Sequence, residues 1–209
     1  MVEFYKTFLF INYGLLSALI FIIFWKYTIL NKIEKQYTYY IVFLFLIELC
    51  SFILPYLLES EDTSFLYHYF IAGEFLLLAG LFIRKLNLNK FFLIFSALLS
   101  MGFLFVIYGL KISFNYDLAK IVSNLIIICL VAVFLIQQIK NGKNIDRFIL
   151  VDASIFFYYS VSVLIFVVLS QFVNLSTESV YLIMGVNNVL STFLYCSILY
   201  TFLKLKKLP

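Results

Sequence analysis

Three carboxyl groups stand inside long apolar stretches of this 209-residue chain: Glu48, Glu74 and Asp152. A carboxyl in hydrocarbon surroundings is expensive, so it faces protein or a wet cavity and marks a functional site by default. Glu48 and Glu74 lie in successive stretches joined by a short break, each near the middle of its stretch. If those stretches pack antiparallel, the two carboxyls meet. Such a pair in a low-dielectric interior suits proton or cation binding; the alternative is a hydrogen-bonded pair that only holds helices together. Asp152 lies about five residues inside the start of its stretch, where water is expected to reach it.

Other polar residues fall on single helical faces. Tyr159 follows Asp152 by seven residues and shares its face. Near the end of the chain Gly185, Asn188, Thr192 and Tyr195 recur at spacings of three, four and three, with Asn187 beside them. That stripe either lines a pocket or glues helices by interhelical hydrogen bonds. The candidate site is therefore Glu48, Glu74, Asp152, Tyr159, Asn187, Asn188 and Thr192. Ala72-Gly73 and Ala79-Gly80 place small residues seven apart, a pattern that lets backbones approach closely. Pro55 removes the amide that would bond to the Ser51 carbonyl, and a kink is expected there. His68 is expected to be an interfacial residue, with pH sensing as the alternative. Lys120 is expected to snorkel to lipid headgroups.

Standard chemistry motifs are missing. The chain has no G-x-S-x-G, H-E-x-x-H, Walker loop or G-x-G-x-x-G. One histidine cannot build a multi-histidine metal site. No metal and no cofactor is expected, and the last apolar stretch has no central lysine for a retinal Schiff base. The missing motifs lean away from an enzyme, although paired carboxylates can run acid–base chemistry without one.

The elements that carry these residues follow from composition. Apolar and aromatic residues make up 65% and charged residues 12%, about half the charge of a soluble domain. Seven apolar runs, roughly 7–26, 37–58, 65–84, 91–110, 118–139, 148–171 and 180–203, each approach the ~20 residues that cross a bilayer as a helix. Long unbroken runs exclude a barrel, whose strands alternate. The expected fold is an all-α polytopic transmembrane bundle of seven helices, with residues 1–209 forming a single integral membrane domain. The first run is expected to be retained: Glu3 beside Lys6 is no basic leader region, and no small-residue cleavage site follows. Cys50, Cys129 and Cys196 all lie in apolar runs and are expected to be free, buried thiols.

Charge sets the orientation. Every basic residue except Lys6, Lys111 and Lys120 falls on one side of the seven runs. The other side carries Glu59-Ser60-Glu61-Asp62 and Glu178. The positive-inside rule then puts the N-terminus outside and the C-terminus in the cytoplasm. The net charge of +4 reflects topology, so no nucleic-acid partner is expected; the partners are the lipid bilayer, a protein at the basic cytoplasmic loops, or a second copy in a homo-oligomer.

Tyr69-x-Ile71-x-Gly73 matches Tyr181-x-Ile183-x-Gly185, each opening the third helix of a triplet. A 3+1+3 plan with parallel triplets fits that match. Tyr67-His68-Tyr69 followed by Glu74-Phe75-Leu76-Leu77-Leu78 resembles a pattern in uncharacterised small seven-helix membrane proteins of Bacteroidetes-type bacteria. The resemblance implies a bacterial inner membrane and no particular activity. Size and intramembrane acids are also similar to lysoplasmalogenase-like enzymes, but those have eight helices and their acidic motifs have no match here. Three functional readings follow: a regulatory, sensory or accessory component acting through a ligand or partner; a small transporter or channel using Glu48 and Glu74; and a lipid-modifying enzyme using the same carboxyls with Asp152.

Overall fold

The computed structural model describes residues 1–58, 64–110, 116–142, 146–171 and 176–206. The acidic break Glu59-Ser60-Glu61-Asp62 and the bases Lys111, Lys143 and Lys207 lie outside the described residues. Among the described residues seven α-helices form: α1 (Val2–Lys26), α2 (Glu34–Leu58), α3 (Ser64–Lys85), α4 (Lys90–Tyr108), α5 (Tyr116–Asn141), α6 (Ile149–Gln171) and α7 (Thr177–Lys204). Among the described residues there is no strand. All seven are long and apolar enough to cross a membrane, and the chain is a multi-pass membrane protein. Most helix ends extend a few residues beyond the apolar runs, since a helix continues into the headgroup region where water wets its polar ends.

The helices close into a ring. α1 packs on α2, α2 on α3, α3 on α5, α5 on α6, α6 on α7, and α7 back on α1. α4 stays outside and leans on α3. Its outward face carries Phe91, Phe95, Leu98, Met101 and Phe105, all exposed, as a lipid-facing surface must be. Between helices in lipid the driving forces are close packing and interhelical hydrogen bonds rather than hydrophobic burial. Two glycines permit the closest approaches. A Cβ at Gly73 would lie 2.3 Å from the Phe43 ring of α2, and one at Gly185 would lie 2.6 Å from the Phe4 ring of α1.

Local signals fix the helix ends. Asn31 accepts the Ile33 and Glu34 amides at 2.9 and 2.8 Å, while Glu34 accepts the Asn31 amide at 2.9 Å. This reciprocal capping box starts α2. α3 ends with the left-handed Asn87 (φ 52°), the Leu88 amide bonding to the Ile83 carbonyl at 3.0 Å. Asparagine tolerates that conformation and closes a Schellman turn. Asn89 then caps α4.

The thiols are free, but Cys129 and Cys196 are exposed and Cys50 is half-buried. The expectation of buried thiols is corrected: on a helix that is apolar all round, an apolar neighbourhood in sequence faces lipid as readily as protein.

Candidate functional site

The ring encloses a cavity of about 620 Å³ to which α4 contributes nothing. Its lining reaches the N-terminal end of the bundle, where Tyr5, Leu66 and Tyr116 each lie near the start of their helices. Glu48 and Ser51 of α2 face Asn187 and Asn188 of α7 across it. Its deeper wall includes Tyr40, Glu74 and Lys120.

Glu74 does not pair with Glu48. One of its oxygens accepts from the Lys120 ammonium of α5, and the other accepts from the Tyr159 hydroxyl of α6 at 2.6 Å. Tyr40 of α2 lies 3.1 Å from the Tyr159 hydroxyl. Tyr159 spends its own hydrogen on Glu74, so Tyr40 is the donor. The Lys120 ammonium also sits 4.3 Å over the Phe70 ring, a favourable cation–π placement. A carboxylate, a lysine and a tyrosine from three helices thus satisfy one another, as a buried charge requires.

The same trio of residue types recurs toward the C-terminal end. Asp152 accepts from Lys85 at 2.6 Å and from the Tyr37 hydroxyl. Lys85 also reaches Asp146 at 2.8 Å and lies 4.4 Å over the Phe134 ring. Tyr37 stacks on Phe148 at 4.6 Å, and Phe148 meets Phe202 edge-on. None of these groups lines the cavity. Beyond them Arg147 donates twice to Glu34 and also reaches the Lys206 carbonyl at 3.3 Å. The hydrogen bonds to Glu34 push the Arg147 pKa above its already high ordinary value. Lys26 bonds the Leu205 carbonyl at 2.9 Å. These links tie α1, α2, α3, α6 and the chain after α7 together at that end.

The seven residues singled out in the sequence therefore divide. Glu48, Glu74, Asn187 and Asn188 line the cavity, and Tyr159 supports Glu74 from behind. Thr192 serves another contact. Its hydroxyl donates to Asn12 Oδ1 at 2.7 Å, and Asn12 Nδ2 donates to the Asn188 carbonyl at 3.0 Å. This part of the α7 stripe is interhelical glue to α1. Asp152 stands apart from the cavity and is 0% exposed, so the expectation that water reaches it is corrected: Lys85 folds back onto it instead of extending to the loop. Lys120 is also corrected. It is 1% exposed and does not snorkel, because Glu74 offers a closer counter-ion than the headgroups. His68 lies one turn into α3, buried and 3.1 Å from the Tyr108 hydroxyl at the end of α4.

Sequence reasoning missed Lys85, Asn12 and the tyrosines Tyr13, Tyr37, Tyr40 and Tyr67. Lys85 read as a loop base because it closes a helix. The tyrosines carried no spacing signal in a chain with sixteen of them. Asn12 was legible: it is an amide centred in an apolar run. Comparison with protein-family models, curated proteins and solved structures finds no match to this chain. Fold and site define a polytopic membrane protein with a polar cavity inside a six-helix ring.

Proposed function

We propose that the chain is a ligand-binding sensory or regulatory component of the bacterial inner membrane, taking a small solute into the ring cavity from the extracytoplasmic side. The cavity carries this reading. It is large enough for a small molecule and has convergent polar groups, the general form of a ligand site. Asn187 Oδ1 and the Tyr67 hydroxyl are buried without a hydrogen-bond partner, and a buried polar group left unpaired is costly unless a ligand or water completes it. The charge asymmetry supports an outside N-terminus, and with it a mouth facing away from the cytoplasm. The exposed bases Lys32, Lys140 and Lys204 at the opposite end offer a face for a cytoplasmic protein partner.

The packing order supports a 3+1+3 plan, since α1–α3 and α5–α7 form the two halves of the ring with α4 outside. The glycines of the repeated pattern make unlike contacts, Gly73 with α2 and Gly185 with α1, so the halves are not equivalent in detail. A transporter is the second reading. It is favoured by the two carboxylate–lysine–tyrosine sets, whose α6 members are seven residues or ~10 Å apart along the axis. The inner set would have to open for passage. Asp152 outside the cavity and the engagement of both Glu74 oxygens weigh against the lipid-modifying reading, which used Glu48 and Glu74 with Asp152.

The test uses Asn187→Cys in a chain whose three cysteines are alanine. A membrane-impermeant thiol reagent added to intact cells should modify Asn187→Cys and spare Ile155→Cys, a buried position of the inner half. Primary amines, carboxylates and sugars are then compared as protectants, and one class should slow the reaction. Modification only from the cytoplasmic side, or no modification and no protection, overturns the reading.

A further inference from the structure

We infer that the ligand is a cationic amphiphile whose ammonium head sits against Glu48 in the cavity and whose alkyl chain leaves through a groove between α1 and α2. This inference rests on the ligand-binding reading above. It begins with the charge inside the ring. Glu48 and Glu74 face the cavity, and Lys120, which lines it with them, is committed to Glu74. No lysine, arginine or histidine pairs with Glu48 among the described residues; its neighbour is the Tyr13 hydroxyl. A carboxylate in the low-dielectric wall of a cavity gains from an occupant that supplies a positive charge.

The rest of the lining agrees. Tyr5, Tyr13, Tyr67, Tyr116, Tyr158 and Tyr195 surround the space. Aromatic faces attract ammonium groups, and rings gathered around one cavity are the usual means of holding them. The unpaired Asn187 oxygen adds an acceptor for an ammonium hydrogen. An anionic or purely donor-deficient ligand would leave these acceptors unmet.

The second observation is the groove. A separate apolar space of about 270 Å³ lies between α1 and α2. Leu16 and Phe45 form part of its wall, and its rim residues Phe10, Leu49 and Phe52 are exposed on the lipid face. Tyr13 and Glu48 line both the groove and the cavity. The two spaces therefore meet at Glu48, a cavity carboxyl that has no basic partner among the described residues. Any membrane lipid can lay a chain against an apolar groove. Only one with a positive head gains from the charge at its inner end, and that complementarity selects the occupant.

The experiment uses dodecylammonium with a photoreactive diazirine at the chain end, on the full chain in lipid nanodiscs. Labels should concentrate on Ser17, Leu49 and Phe52, about ten-fold above the equally lipid-exposed Phe95 and Leu98 of α4, the ratio that one charge-assisted contact supplies. Glu48→Gln should erase that preference. The neutral probe dodecanol with the same photoreactive end should show none in the native chain, a control that needs no variant to fold. Labels spread over α4 and the groove alike, or an equal preference from dodecanol, overturn the inference. Propylammonium separates the two proposals. If it protects Asn187→Cys from the thiol reagent while long-chain labels stay uniform, the cavity reading stands and the groove falls. If propylammonium gives no protection and the labels are uniform, the cationic ligand falls as well.

Discussion

Two clusters of this molecule use the same chemistry in different surroundings. In each a carboxylate holds a lysine on one oxygen and a tyrosine on the other: Glu74 with Lys120 and Tyr159, Asp152 with Lys85 and Tyr37. The Glu74 set forms part of a cavity wall. The Asp152 set lies behind aromatic rings, with Asp146, 25% exposed, as its link outward. Residue type alone does not separate a site from a fastening; what differs is whether space adjoins the charges. The Asp152 set closes the C-terminal end of the ring and lets the other end stay hollow.

Breaking each set measures that difference. Lys85→Met leaves Asp152 buried and unpaired and should cost about 3–5 kcal/mol, read by reversible unfolding in detergent. Lys85→Met with Asp152→Leu should recover most of the loss, because both charges are then gone. Lys120→Met should cost less, about 1–3 kcal/mol, since water in the cavity can solvate Glu74. Equal losses from the two lysine variants would mean the cavity wall is as dry as the sealed end, and the contrast would fail. Asn12→Leu removes the α1–α7 amide contacts and should cost about 0.6–1.7 kcal/mol by the same measurement. Tyr40→Phe deletes one hydroxyl behind Tyr159 while keeping its ring, and should cost about 0.5–1.5 kcal/mol. A larger loss there would make Tyr40 part of the charge cluster rather than a support.

The helices were legible because a bilayer imposes length and composition on each span separately, so seven runs could be read one at a time. Glu74 stood out for the same reason, as an expensive residue in its own span. Its partner did not. Lys120 lies near the start of α5, forty-six residues away in sequence, and only the way α3 packs on α5 makes it a counter-ion instead of a headgroup anchor. Asp152 illustrates the same limit in reverse: its depth was readable, but its seclusion depends on Lys85 and on the Tyr37–Phe148 stack. The pairing of Glu48 with Glu74 was a reasonable inference from antiparallel neighbours. It fails because α3 turns Glu74 toward α5 and α6.

The closure of the ring by α1 and α7 has a consequence for how the protein is made. Asn12 enters the membrane with α1, and its partners Asn188 and Thr192 arrive with α7. Throughout synthesis that amide has no native partner, and an unsatisfied amide in hydrocarbon is costly. The growing chain must keep α1 near water or near the insertion machinery until α7 is delivered. A ribosome stalled before α7 should therefore hold α1 in a state from which it is readily extracted, and delivery of α7 should lock both at once.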